Sequence, residues 1–121
     1  MANLITSKGV RQRDAGEVAD LLCPRCGADN LHHLTVTVFD RGEDASSLVR
    51  TKFGAGNASM SVVGASAENP SSRRGGLTIQ FECEQCGGGA PDDVIELTIA
   101  QHKGSTEIGW RFTPKPPAIS N

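Results

Sequence analysis

The sequence predicts a mainly β chain: a small antiparallel sheet of about four strands, with a long insertion between the first two. Two observations carry this. Several segments alternate apolar and polar residues with the period of two that a half-buried strand requires. Two Cys-x-x-Cys-Gly units, Cys23–Gly27 and Cys83–Gly87, sit beside those segments. One strand candidate leaves the first unit and another enters the second.

Residues 1–20 read as a flexible N-terminal arm. A short helix around Asp14–Leu22 is one reading, with Asp14 as cap and Glu17 three residues later, although Gly16 weakens it. A domain over residues 21–112 follows. Its first strand is Leu31–Asp40, with Leu34, Val36 and Val38 on one face and Thr35, Thr37 and Phe39 on the other. Residues 41–75 form the insertion. It opens with Arg41-Gly42-Glu43-Asp44 and closes with Asn69-Pro70-Ser71-Ser72-Arg73-Arg74-Gly75. Two weak strand candidates, Leu48–Phe53 and Ser59–Val63, make it either a hairpin flap or a loop rich in Gly, Ala and Ser.

The strongest strand signal is Leu77–Cys83, where Leu77, Ile79, Phe81 and Cys83 alternate with Thr78, Gln80 and Glu82. Asp93–Gln101 carries Ile95, Leu97 and Ile99 on one face. Lys103-Gly104 suits a hairpin turn into a last strand bearing Thr106, Ile108, Trp110 and Phe112. Residues 113–121 contain Pro114, Pro116 and Pro117 and read as an extended tail.

Composition limits what this sheet can bury. Of 121 residues, 37% are hydrophobic and 14 are glycine; there are four Phe, one Trp and no Tyr. So small a core calls for an added staple. No apolar run has the length of a membrane span, and Met1–Lys8 lacks the core of a secretion signal. The expectation is a reducing cytoplasm, where paired cysteines bind metal or do redox work. The net charge of −2 argues against a coat of basic residues. Lys8, Arg11 and Arg13 cluster near the start, and Glu82, Glu84, Asp92, Asp93 and Glu96 cluster later; both groups read as solvated surface.

The four cysteines supply the staple. A Cys-x-x-Cys turn puts two thiolates on one side of an ion, and a second turn completes a tetrahedron. Cys23, Cys26, Cys83 and Cys86 fill all four positions with sulfur, the pattern of a structural zinc (Zn2+) site with no open position for catalysis. Residues 27–82 separate the pairs, more than the usual spacing of roughly 15–20. The longer loop costs only about 1 kcal/mol more to close, while structural zinc contributes on the order of 10 kcal/mol. Two turns pinching a metal at one end of a thin sheet is the layout of a zinc ribbon. The alternatives are a disulfide scaffold and redox chemistry at Cys23-Pro24-Arg25-Cys26. A redox motif of that kind normally opens a helix, and here strand pattern follows. His32 and His33 read as surface or supporting residues because four cysteines already satisfy the ion.

Three clusters are candidates for contact with a partner. Arg73 and Arg74 can each grip a phosphate or carboxylate with two parallel hydrogen bonds. His102 and Lys103 lie at a hairpin tip facing outward. Arg41-Gly42-Glu43-Asp44 has mixed charge, which favours internal pairing with Arg73 or Arg74. Trp110 reads as core. The aromatic platform of a single-strand binder is not visible. Neither is a P-loop, a His-Glu-x-x-His or a nucleophile elbow, so the chain does not read as an enzyme.

Cys23-Pro24-Arg25-Cys26-Gly27, Asn69–Arg74, Ile79–Cys86 and Gln101–Thr106 with Trp110 together resemble an uncharacterised group of small zinc-ribbon proteins of bacteria, phages and prophages. The resemblance covers about residues 20–112. It implies a ribbon fold and a phage or mobile-element setting in a bacterial cell, and no reaction. The resulting expectation is a cytoplasmic, non-enzymatic module that binds a protein of the host, such as an enzyme or a defence nuclease. A nucleic-acid-binding ribbon using Lys8, Arg11, Arg13, Arg73, Arg74, His102 and Lys103 is the alternative, and exposed strand edges allow a homodimer.

Overall fold

The computed structural model describes residues 3–5, 10–86 and 93–114. The chain is all-β, with nine strands and no helix among the described residues. They are β1 (Asn3–Ile5), β2 (Gln12–Ala15), β3 (Val18–Leu21), β4 (Leu31–Asp40), β5 (Ser47–Gly54), β6 (Asn57–Gly64), β7 (Gly76–Cys83), β8 (Asp93–His102) and β9 (Ser105–Pro114). Six form one antiparallel sheet in the order β9-β8-β7-β4-β5-β6, and the short β1 adds a seventh beside β9. No helix here is long and apolar enough to cross a membrane. The expected tail lies outside the described residues beyond Pro114.

Four expected strands are present and adjacent, as β4, β7, β8 and β9. Two expectations need correction. The helix over Asp14–Leu22 does not form. Those residues belong to a hairpin of β2 and β3, closed where Ala15 faces Val18. Gly16 sits at the first turn position with φ 85°, a conformation that only glycine adopts cheaply. Gly16 outweighs the helix-start signal because Asp14 binds the Gly16 amide, two residues on, and so turns the chain.

The second correction concerns the insertion. Its two strands do form a hairpin, through a two-residue turn at Ala55-Gly56 with both φ positive. The hairpin is not a flap. β5 pairs with β4 from Val36↔Phe53 to Asp40↔Val49, so the insertion widens the sheet by two strands. Alternation in β4 holds from Val36 onward. A bulge between His33 and Val36 adds a residue, and Leu34 leaves the face shared by Val36 and Val38.

The two faces of the sheet differ sharply. On one, the register lines up Met60, Thr51, Val38, Leu77, Ile99 and Ile108 across six strands. The next row is Ala58, Phe53, Val36, Ile79, Leu97 and Trp110. Among the described residues, only the cysteine end of this face is closed. There Cys23, Cys83, Ile95 and Trp110 are buried, with Val10 and Leu21 of the N-terminal segment packed over them. Trp110 stands edge-on to Phe81 with ring centroids 5.8 Å apart.

The opposite face is mixed, and it is the more deeply covered: Phe39, Leu48 and Ala100 are buried there beside polar residues. Thr37, Thr78 and Thr98 form a ladder across β4, β7 and β8, and all three are buried. The segment between β6 and β7 lies over this face. Gly76 permits the approach: a Cβ there would come within 2.9 Å of Asn69 Oδ1 and Pro70 Cγ. Glu96, expected to be solvated, is buried. Arg111 donates to it at 2.9 Å through Nε, and its other nitrogens donate to the carbonyls of Ala67 and Glu68 at 3.1 and 2.5 Å. One guanidinium thus neutralises a buried acid and ties the crossing segment to the sheet.

Removing one partner of a buried pair strands the other charge. Arg111→Met is expected to destabilise the fold by about 3–5 kcal/mol in urea unfolding. Adding Glu96→Gln should recover part of that loss; no recovery would show that the carbonyl contacts dominate.

Candidate metal centre

Each cysteine pair sits on a turn built by backbone hydrogen bonds. In the first, the Cys23 amide donates to Ala28 O at 2.7 Å and the Gly27 amide donates to Cys23 O at 2.9 Å. Gly27 takes φ 78°, which closes the turn. The Arg25 amide points at Cys23 Sγ, 3.4 Å away. The second turn begins where β7 ends at Cys83. The Glu84 amide donates to Asn30 O at 3.1 Å, and Gln85 donates to Asn30 Oδ1 at 3.3 Å, joining the two turns directly. Gly87, expected to close this second turn, lies outside the described residues.

The four sulfurs all lie within 4.8 Å of one another. Cys26 Sγ is 3.5 Å from Cys83 Sγ, and Cys23 Sγ is 3.8 Å from Cys86 Sγ. A zinc–sulfur bond of about 2.3 Å in a tetrahedron sets sulfur–sulfur edges of about 3.8 Å. The cluster therefore fits one tetrahedral ion such as zinc, with every ligand supplied by the chain. Cys23 and Cys83 are buried, Cys86 is half-buried and Cys26 is exposed. All four are free thiols.

Their surroundings pull in opposite directions. A backbone hydrogen bond at Ala28 lowers the Cys26 thiol to about 7. Burial raises Cys83, and burial with the neighbouring sulfurs raises Cys86 to about 12. Without a cation, burial keeps the protons on Cys83 and Cys86, while exposed Cys26 gives its proton up more readily. A divalent ion reverses that balance. His32 and His33 are exposed, and neither belongs to the sulfur cluster. His32 Nε2 pairs with Glu84 Oε2 at 2.7 Å, bracing the second turn against β4. Arg25 stacks on Phe112, 4.4 Å from the ring centroid. The first cysteine pair opens no helix and leads into β4, unlike the usual setting of a redox motif.

The remaining candidate residues gather at the opposite end of the sheet. Arg73 donates to Asp44 at 2.9 and 2.6 Å and to Glu43 at 3.1 Å. Arg74 reaches Glu43 at 3.0 Å. Arg41 donates to the carbonyls of Ala45 and Ser72. Arg73 holds the Asp44 carboxyl below its usual range, and Asp44 raises Arg73 in return. The segment is anchored by Asn69 and Ser71, which the sequence places in the Asn69–Arg74 cluster without showing their anchoring role. Ser71 Oγ donates to Gln101 O at 2.8 Å, and Asn69 Oδ1 accepts from the Ser71 amide at 3.0 Å. The signal was the Asn-x-Ser spacing of a side-chain-mimicked turn. This contact sets the arginine segment beside the β8–β9 tip, where Lys103 is exposed and has no ion-pair partner among the described residues.

Comparison with protein-family models, with curated proteins and with solved structures returns no match to this chain. The likeness to small zinc-ribbon proteins therefore rests on the motifs alone.

The purified protein is expected to carry about one zinc per chain, with thiols reactive only after chelation. Ligation displaces protons, so metal retention rises with pH and falls in mild acid. Cys23→Ser should lower zinc content from about one to near zero by elemental analysis and sharply depress the melting temperature. Unchanged stability on metal loss would remove the structural role.

Proposed function

We propose that the chain is a non-enzymatic zinc-ribbon module whose zinc is structural and whose task is to bind a protein. The observation that carries this is the division of the molecule. The all-cysteine cluster, which offers no ligand position to a substrate, sits where β4 begins and β7 ends. Arg41, Arg73, Arg74, His102 and Lys103 gather at the other end, on segments fixed by buried Asn69 and Ser71. A fixed array in which Arg73 and Arg74 alternate with Glu43 and Asp44 suits a protein surface of complementary mixed charge. In the phage or mobile-element setting implied by the motifs, the partner is a host protein, such as an enzyme or a defence nuclease, and the module works in the cytoplasm.

The nucleic-acid alternative draws less support. Arg73 and Arg74 already face Glu43 and Asp44, which lowers their attraction for phosphate.

The test is affinity capture from bacterial lysate at physiological salt, comparing the native chain with Arg74→Glu/Lys103→Glu. A protein retained by the native chain and lost by the variant is the expected result. Retention by both would move the contact elsewhere, and repeated failure to retain any protein would overturn the reading. Nucleic acid bound in a gel shift, with affinity falling linearly in log salt, would transfer the proposal to the alternative.

A further inference from the structure

Among the described residues, nothing covers the apolar face of the sheet away from the cysteine end. Phe53 is 46% exposed, Ile108 51%, Met60 73% and Val62 74%. The row Met60–Thr51–Val38–Leu77–Ile99–Ile108 contains no charged residue, nor does the row beside it, whose Leu97 and Trp110 end is already covered by the metal-end core. Asp40 and Gln101 border it only at the distal rim. A contiguous apolar patch of this breadth marks an interaction site.

We propose that this face packs against the same face of a second copy, giving a two-fold symmetric sandwich of two sheets. Three arguments select that occupant. First, the patch has no charge with which to choose a foreign partner, whereas apolar rows meeting apolar rows need none; a two-fold axis makes any such patch self-complementary. Second, a sheet face six strands wide is matched by another sheet, and two sheets pack face to face at about 10 Å. Third, the area suffices. Six strands at about 4.8 Å spacing and five residues at about 3.4 Å rise span roughly 400 Å² in projection. Accessible area exceeds projection, so two such faces together reach the roughly 1,000 Å² of a specific interface. The dimer would present two copies of the arginine-bearing end, so one partner with paired sites would be held bivalently.

The alternative self-contact is edge pairing through β6, which carries neither charge nor proline. Sedimentation of the zinc-loaded full chain separates the cases. Met60 lies on β6, and Ile108 lies across the face on β9. The native chain should sediment at twice 12.7 kDa. Met60→Lys and Ile108→Lys should each give a monomer that keeps its zinc and its β-type circular dichroism. A native monomer at about 100 µM, well above the Kd near 1 µM of a modest complex, would overturn the proposal. So would a dimer broken by Met60→Lys alone, which is the mark of edge pairing, or one that both variants leave intact. Zinc loss in either variant would trigger the milder pair Met60→Thr and Ile108→Thr, read by the same criterion. This outcome is independent of lysate capture, since a monomer that still retains its partner fails here and not there.

Discussion

Everything in this fold is arranged around four sulfurs at one end of a thin sheet. The two cysteine turns are far apart in sequence, but the sheet shortens that distance. β4 leaves the first turn and β7 enters the second, and they are neighbours, with Leu31 opposite Cys83. The β4–β7 ladder therefore carries the second pair back to the first, and Asn30 joins the turns. Loop closure over the insertion is met by hydrogen bonds along β5 and β6, not by the metal alone. The long spacing is thus no burden on the site.

The polar and apolar faces are covered by different means, for a physical reason. A segment without regular structure brings unpaired amides and carbonyls wherever it lies, and these need partners when buried. Only a polar sheet face can supply them. Arg111 takes the carbonyls of Ala67 and Glu68, and Gly75 O accepts the Gln101 amide. No buried side-chain polar atom is left unsatisfied among the described residues. The apolar face could not receive the same segment without stranding its backbone. It calls for side chains instead, and at the metal end Val10 and Leu21 provide them.

That asymmetry explains what the sequence did and did not reveal. The cysteine turns, β7 and the Lys103-Gly104 turn were legible because each is a local pattern with one geometric meaning. The β2–β3 hairpin was hidden because Asp14 and Glu17 carry a helix-start signature that Gly16 overrides. Glu96 read as solvated, and Thr78 as the polar side of its strand, because alternation shows which residues share a face, not what lies over it. Their burial depends on a crossing made by residues 65–75, and one sequence offers no pattern for such a long-range contact. The sulfur cluster was readable for the opposite reason: only a shared ion gives two such turns a common purpose.

Separation of the ends also bears on mechanism. β4 runs ten residues, or roughly 33 Å, from the metal turns to Arg41. An ion bound at one end lies far beyond the roughly 8 Å screening length from charges at the other. It can influence a distal partner only by keeping the strands registered. Under the proposed reading, metal loss would act on binding through order in the sheet, whereas substitutions at Arg74 or Lys103 would act with the sheet intact. A molecule built this way would draw stability from a metal at its sulfur end, while its distal surface is held by the hydrogen bonds of buried Asn69 and Ser71.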